Sequence, residues 1–175
     1  MPLTRIAALG VMLMLGGCQY VNVQSSQLSA ILKTFSSDSK ASPEPLWAVE
    51  YGGYSAAVQP LAIESSTLFI NDNDAISFDG WRITKVSGLS AFNPEWEILD
   101  SGSERSFTVQ GQVVATHQCN AWLKKNTEFG VRFEQHCVGK KIYQNIILVD
   151  DLGHITNIEQ VVDTSHMPLR LRLNN

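Results

Sequence analysis

Cysteines, histidines and acids are the residues in this chain that could do chemistry, and the first cysteine is the most constrained. It ends Leu15-Gly16-Gly17-Cys18, behind Arg5 and an apolar run from Ile6 to Leu15. That run is too short to cross a bilayer as a helix, and its arrangement is that of a lipoprotein processing signal. Gly16 and Gly17 leave room for a peptidase on an extended backbone, and the Cys18 thiol can be thioether-linked to diacylglycerol. Cys18 would then be the first residue of the mature protein. The rival readings are an ordinary secretory signal ending in Cys, or a buried N-terminal helix. Three acyl chains at about 0.8 kcal/mol per buried methylene exceed what stable attachment needs. Gln19 stands where an Asp would retain a Gram-negative lipoprotein at the inner membrane, so the expected location is the periplasmic face of the outer membrane.

With Cys18 consumed by lipid, Cys119 and Cys137 remain as an even pair in a chain bound for an oxidising compartment. A structural disulfide is expected. A thiol metal site or nucleophile is the rival, but no C-x-x-C occurs, and His117 and His136 are too few and too loosely spaced for a zinc box.

Catalytic groupings are weak. Asn71-Asp72-Asn73-Asp74 lacks the Gly and Glu of a calcium loop and reads as a surface turn. Asp150-Asp151-Leu152-Gly153 reads as a hairpin turn. His117, His136, His154 and His166 fall in different segments. Asp163, Ser165 and His166 are too close in sequence to form a triad on one element, and Gly88-Leu89-Ser90 lacks the second Gly of a nucleophile elbow. No catalytic residue, metal site or cofactor is expected. Of Trp47, Trp81, Trp96 and Trp122, most should pack in a core; Trp122 falls on the face opposite the disulfide, covering a second layer or lining a groove.

Residues 1–17 form the expected signal peptide. The mature 158 residues suit one domain. Twelve Lys and Arg against 17 Asp and Glu give that mature chain a net charge of about −5, which argues against nucleic acid as a partner. Lys124-Lys125 and Lys140-Lys141 read as solvated hairpin ends.

Residues 18–45 hold a short tether, a helix with Leu28, Ile31, Leu32 and Phe35 on one stripe, and a Ser- and Pro-rich linker from Ser36 to Pro45. From residue 46 to 175 the pattern is all-β: Leu46–Tyr51, Ala56–Ile63, Thr67–Ile70, Ala75–Phe78 and Trp81–Val86, then Ser106–Val109, Gln112–Leu123, Gly130–Val138, Ile142–Val149, His154–Val162 and Leu169–Leu173. Asp79-Gly80 suits a type I′ hairpin, and Asn93-Pro94 suits the start of a short helix through Leu99. Pairing Cys119 with Cys137 sets Leu123 against Phe133 and Ala121 against Gln135. Val113, Ala115, Cys119, Ala121 and Leu123 then share a face with Val131, Phe133 and Cys137, and Lys124 falls opposite Arg132. An antiparallel meander forming a sandwich or partly closed barrel, with the N-terminal amphipathic helix laid against it, hides the sheet edges.

The processing signal with the Leu28–Phe35 helix, Asp72–Leu89, Val113–Trp122 with its Cys-Asn-x-Trp, and Tyr143–Pro168 resemble, in order, segments of the YjbF and GfcB family of outer-membrane lipoproteins, encoded with exopolysaccharide and group 4 capsule assembly genes. The chain is shorter than that family between Ala91 and Glu104, and the resemblance does not extend to Cys137. It implies a barrel-like β fold and supplies no catalytic residues. The expected function is non-enzymatic help in assembling or exporting a surface polysaccharide, through contact with protein components of an export system. Whether the domain binds carbohydrate stays open. The alternative is a lipid or lipoprotein carrier whose half-open barrel holds an acyl chain between its sheet and the N-terminal helix, for which apolar residues on both faces of Ile142–Val149 leave room, although a strand buried on both sides explains them equally well. A wall or glycan hydrolase ranks third, and would need two facing carboxylates drawn from residues such as Glu50, Glu64 or Glu134.

Overall fold

A computed structural model of the chain describes residues 46–174. Cys18, the tether, the Leu28–Phe35 helix and the linker lie outside the described residues. Thirteen strands follow one another: β1 (Trp47–Tyr51), β2 (Tyr54–Ile63), β3 (Ser66–Ile70), β4 (Ala75–Phe78), β5 (Ile83–Gly88), β6 (Phe92–Ser101), β7 (Glu104–Val109), β8 (Gln112–Cys119), β9 (Leu123–Thr127), β10 (Gly130–Val138), β11 (Ile142–Val149), β12 (Ile155–Val161) and β13 (Pro168–Leu173).

Each strand pairs antiparallel with its sequence neighbour, save that β8 and β9 share one place beside β10. β1 pairs with β13, Trp47 opposite Leu173 and Glu50 opposite Arg170, and this closes the sheet into a barrel of twelve strand positions. Period-two alternation directs the side chains. Trp47, Val49 and Tyr51 of β1 and Leu169 and Leu171 of β13 point inward, with Arg170 and Arg172 outside. Phe69, Phe78, Phe92, Phe107, Ile147 and Ile158 fill the interior.

The core also carries polar groups that bond across it. Gln160 of β12 accepts from the Ile83 amide of β5 at 3.0 Å and donates to the Trp81 carbonyl at 2.8 Å, although β5 and β12 stand half-way round the ring from one another. One side chain spans the interior, so the barrel is flattened there into two layers. Asn145 accepts from the Val161 amide and donates to Gln135 Oε1. Buried polar atoms without such partners would cost about 1–3 kcal/mol each.

Three expectations are corrected. Asn93-Pro94 starts no helix: it lies within β6, where Trp96 to Ser101 pair with β7 and Phe92 and Trp96 with β5. Residues 93–95 bulge out against Ser87, a place where proline's missing N–H costs no ladder bond. Asp79-Gly80 is not a two-residue turn. The Asp79 carboxylate accepts from the amides of Trp81 and Arg82, and the Asp79 amide donates to the Arg82 carbonyl, closing a wider loop. The strand expected at Gln112–Leu123 breaks at residues 120–122. Cys119 stands opposite Cys137, but Leu123 then meets Glu134 and Lys124 meets Phe133, a one-residue slip from the expected register.

That slip turns Leu123 outward and leaves Ala121 exposed. A bulge between Phe107 and Thr108 similarly turns Val113 out, to 62% exposure. The cationic pair expected at Lys124 and Arg132 becomes Lys125 and Arg132, and the Glu134 carboxylate between them bonds both. These two cations hold the Glu134 carboxyl below its usual range.

Cys119 and Cys137 form a disulfide on the core side of adjacent strands. With 18 residues of separation, replacing both by Ala should lower the unfolding free energy by about 3 kcal/mol, read from urea denaturation. Equal stability of the oxidised protein and the double variant would contradict this role.

Candidate functional site

Turns at Gly52-Gly53, Leu89–Ala91, Gln110-Gly111, Gly139–Lys141 and residues 162–167 gather at one end of the barrel, the upper rim. Here the ring has a seam, because β10 reaches only Gln118 and Cys119 of β8 before turning at Gly139. A cavity of about 560 Å³ opens over the seam, lined among others by Trp96, Val114, His117, Lys140, Thr164 and His166.

His117 organises the cavity. It lies two positions from Cys119 and therefore on the same inward face, and it is 4% exposed. Its Nδ1 shares a 2.8 Å hydrogen bond with Tyr143 Oη. Its ring packs against Phe107, with centroids 4.7 Å apart, and stacks on His166 at 5.1 Å with planes 18° apart. The ring fits because residue 139 is glycine: a Cβ there would lie 2.5 Å from His117 Nε2. His166 reaches its place from a residue with φ of +64°, and its Nε2 accepts from the Lys141 amide at 3.4 Å.

Burial, then His166 and Arg105, push the His117 pKa down, so the imidazole is neutral at pH 7. Burial also pushes Tyr143 up to about 12, with Arg105 working against it and Asp100 with it. Arg105 stands opposite His117 on β7 and is fully buried. It donates from Nη2 to Gln160 Oε1 at 3.2 Å, and its Nη1 lies 3.7 Å from Asp100 Oδ2. Its Nε and Nη1 form no hydrogen bond, and desolvation lowers its pKa.

The cluster can accept and donate protons and present a cationic background. Ser165 Oγ donates to Asp163 Oδ1 at 2.6 Å, and Tyr51 Oη donates to Asp163 Oδ2 at 2.5 Å. His166 belongs to the stack on His117, so the three residues Asp163, Ser165 and His166 are divided between two networks. Burial and then Asp163 raise the Tyr51 pKa to about 12.

Asp74 departs from the expected surface turn. Asn71 does form one, its Oδ1 accepting from the amides of Asn73 and Asp74. The Asp74 carboxylate, however, is buried, accepting from Tyr54 Oη, Asn71 Nδ2 and the Leu89 amide, each at 2.7 Å. It pins the Gly88-Leu89-Ser90 turn to β4, and Leu89 itself is core. Asp150 accepts from the amides of Leu152 and His154, which hold its carboxyl below its usual range. His136 is exposed on β10 and His154 on its turn. Among the described residues no group of three or more His, Cys, Asp or Glu could hold a metal ion.

Trp47 is core, and Trp96 packs edge-on to Phe92. Trp81, 46% exposed, sits 5.0 Å from Phe133 and 6.0 Å from Trp122. Trp122 thus helps close the lower end of the barrel, its indole against the loop that joins β4 and β5.

Sequence reasoning missed the joining of His117, Tyr143 and His166. The spacing of two between His117 and Cys119 marked His117 as inward, but nothing local brings the loop carrying His166 above it.

No protein-family model and no characterised relative matches the sequence. Among solved structures, the fold is similar to the "Crystal Structure of the hypothetical lipoprotein YmcC from Escherichia coli (K12)", with a TM-score of 0.54 and 14% identity over 87% of this chain and 97% of that one.

Gly139→Ala should displace the His117 ring and cost about 1–3 kcal/mol, with the largest nuclear magnetic resonance shifts at His117, Tyr143 and His166. An unchanged His117 resonance would contradict the close fit. Tyr51 and Tyr143 keep their protons to about pH 12 in the fold, whereas unfolded tyrosines lose them near pH 10. The unfolded state therefore binds fewer protons in that window, and stability present below pH 10 is lost as pH rises towards 12. Ultraviolet titration should show these two phenolates forming late in the native protein and near pH 10 in urea.

Proposed function

We propose that this chain is a lipid-anchored, non-enzymatic accessory protein on the periplasmic face of the outer membrane that helps assemble or export a surface polysaccharide. The observation that carries the reading is Leu15-Gly16-Gly17-Cys18, standing ahead of a barrel similar to that of a protein titled a hypothetical lipoprotein. The resemblance to the YjbF and GfcB segments supplies the polysaccharide context. The reading of contact without catalysis is supported by the division of Asp163 and Ser165 from His166, and by Glu134 facing two cations where a hydrolase would need a second carboxylate.

The alternative, a carrier that holds an acyl chain between its sheet and the N-terminal helix, gains no support from the barrel interior, and the helix lies outside the described residues. β11, on which that reading leaned, turns Tyr143, Asn145 and Ile147 into a packed interior and leaves Ile142 exposed to solvent. Its two faces are therefore one core face, already filled by its neighbours, and one outer face that carries Ile142, Ile146 and Leu148.

The test is a strain carrying an intact polysaccharide cluster, with this gene deleted and then restored as wild type or as Cys18→Ala. Wild type should incorporate labelled palmitate and restore surface polysaccharide, while the variant should do neither. Normal surface polysaccharide in the deletion strain would overturn the export role. Palmitate labelling of the Cys18→Ala protein would overturn the anchor.

A further inference from the structure

The seam leaves one side of a strand unpaired. β7 follows β8 from Gln112 to Gln118, but β10 meets only Gln118 and Cys119. Among the described residues no strand flanks residues 112–117 on the side away from β7. Val114, Ala115, Thr116 and His117 along this edge form one wall of the 560 Å³ groove, and Gly139 and Lys140 form another.

An open strand edge is a row of N–H and C=O groups at the spacing of an extended chain, so what complements it is another extended backbone. An acyl chain has no group to pair with that row, and the hydroxyls of a sugar chain do not repeat at its spacing. Natural edges are commonly blunted by lysine or proline; this one carries Val113 and Val114, both exposed. Val114 is the extra residue of the bulge that sets Phe107 opposite Ala115 and Thr108 opposite Val113. The bulge and the rim keep the edge short, which admits a brief segment and resists open-ended sheet growth.

The charge of the groove narrows the occupant. Lys140 lines it, Lys141 adjoins it, and Arg105 lies buried behind His117. No carboxylate lines it; Asp163, which adjoins Thr164, accepts from Tyr51 and Ser165, and Glu95 and Glu97, near Trp96 on β6, are paired with Lys85. A basic groove on a chain of net charge −4 favours an acidic partner.

We propose that the open edge of β8 is the docking site for a short, extended, acidic segment of a partner protein, which adds a strand beside residues 112–116 and sets a carboxylate against Lys140. The proposal deepens the reading above and rests on it, since it names the surface through which an accessory protein would hold its partner.

The test uses the full mature chain with Cys18→Ala, so that it is free of lipid, and the peptide acetyl-Glu-Val-Thr-Val-Glu-amide as probe. Amide shifts and hydrogen exchange slowed about tenfold should be confined to residues 112–117 and 139–141. Methylating alternate peptide nitrogens should abolish binding, because those positions lose the donors of the added strand. Lys140→Glu with Lys141→Glu, on an exposed turn, should weaken binding about tenfold. The proposal is overturned if the peptide does not bind, if methylation leaves binding unchanged, or if a glucuronic acid hexamer occupies the groove in its place. Protection of residues 112–117 in the free full chain would overturn it too, by assigning the edge to the chain's own first residues. The binding readout is independent of polysaccharide export, so failure here and failure of the export role are separately visible.

Discussion

Closure of the sheet through β1 and β13 is the constraint on which the rest of the structure depends. Four residue pairs, from Trp47 with Leu173 to Glu50 with Arg170, join the two ends of the barrel's chain. Without them the sheet would present two free edges, each a row of unpaired backbone groups open to association. Closing the ring commits one face of every strand to the interior. The alternation of Trp47, Val49 and Tyr51, of Leu169 and Leu171, and of Tyr143, Asn145 and Ile147 supplies that face. Twelve strand positions would enclose a wide lumen if the ring stayed round. The Gln160 side chain, bonded to β5 from the opposite side, shows that the ring is flattened until its layers touch, which reconciles the sandwich and barrel readings of the sequence.

Flattening and closure leave one place unfinished. The chain breaks at residues 120–122 and slips its register by one, so β9 follows the lower part of β10 while β8 leaves it above Cys119. The disulfide sits where the paired part ends, and beyond it the seam opens into the groove of His117, Tyr143 and His166. The cluster therefore owes its existence to topology: three residues that share no local motif meet because the ring holds β8, β11 and the loop before β13 at one rim. Behind them lies the buried Arg105, with Asp100 3.7 Å from its Nη1.

Much of the fold was legible in the residues. The bounds of β10 and β11 follow from apolar alternation between turn residues, and the two cysteines gave the pairing of β8 with β10. Legibility failed where local preference and tertiary pairing disagree. Asn93-Pro94 has the chemistry of a helix start, but Ile98 needs to be buried and Leu99 exposed, a period of two that pairing with β7 enforces. The face assigned to Val113 and Leu123 was wrong because a bulge or break shifts side-chain parity by one, and no residue type announces where this happens. His117 was marked by its spacing from Cys119. Its partner His166 was not, since a contact across 49 positions depends on the whole ring being closed. The Asp74 carboxylate looked like part of a polar turn because its burial is created by Tyr54 and Leu89, neither of which is its sequence neighbour.

Closure is tested most directly by nuclear magnetic resonance of the mature chain with Cys18→Ala. A closed barrel gives cross-strand Overhauser contacts linking residues 47–50 to residues 170–173, with amides there exchanging as slowly as those of β7 and β12. Absence of those contacts, together with rapid exchange along β1 and β13, would mean an open sheet, and the flattened ring and the seam at its rim would fall with it.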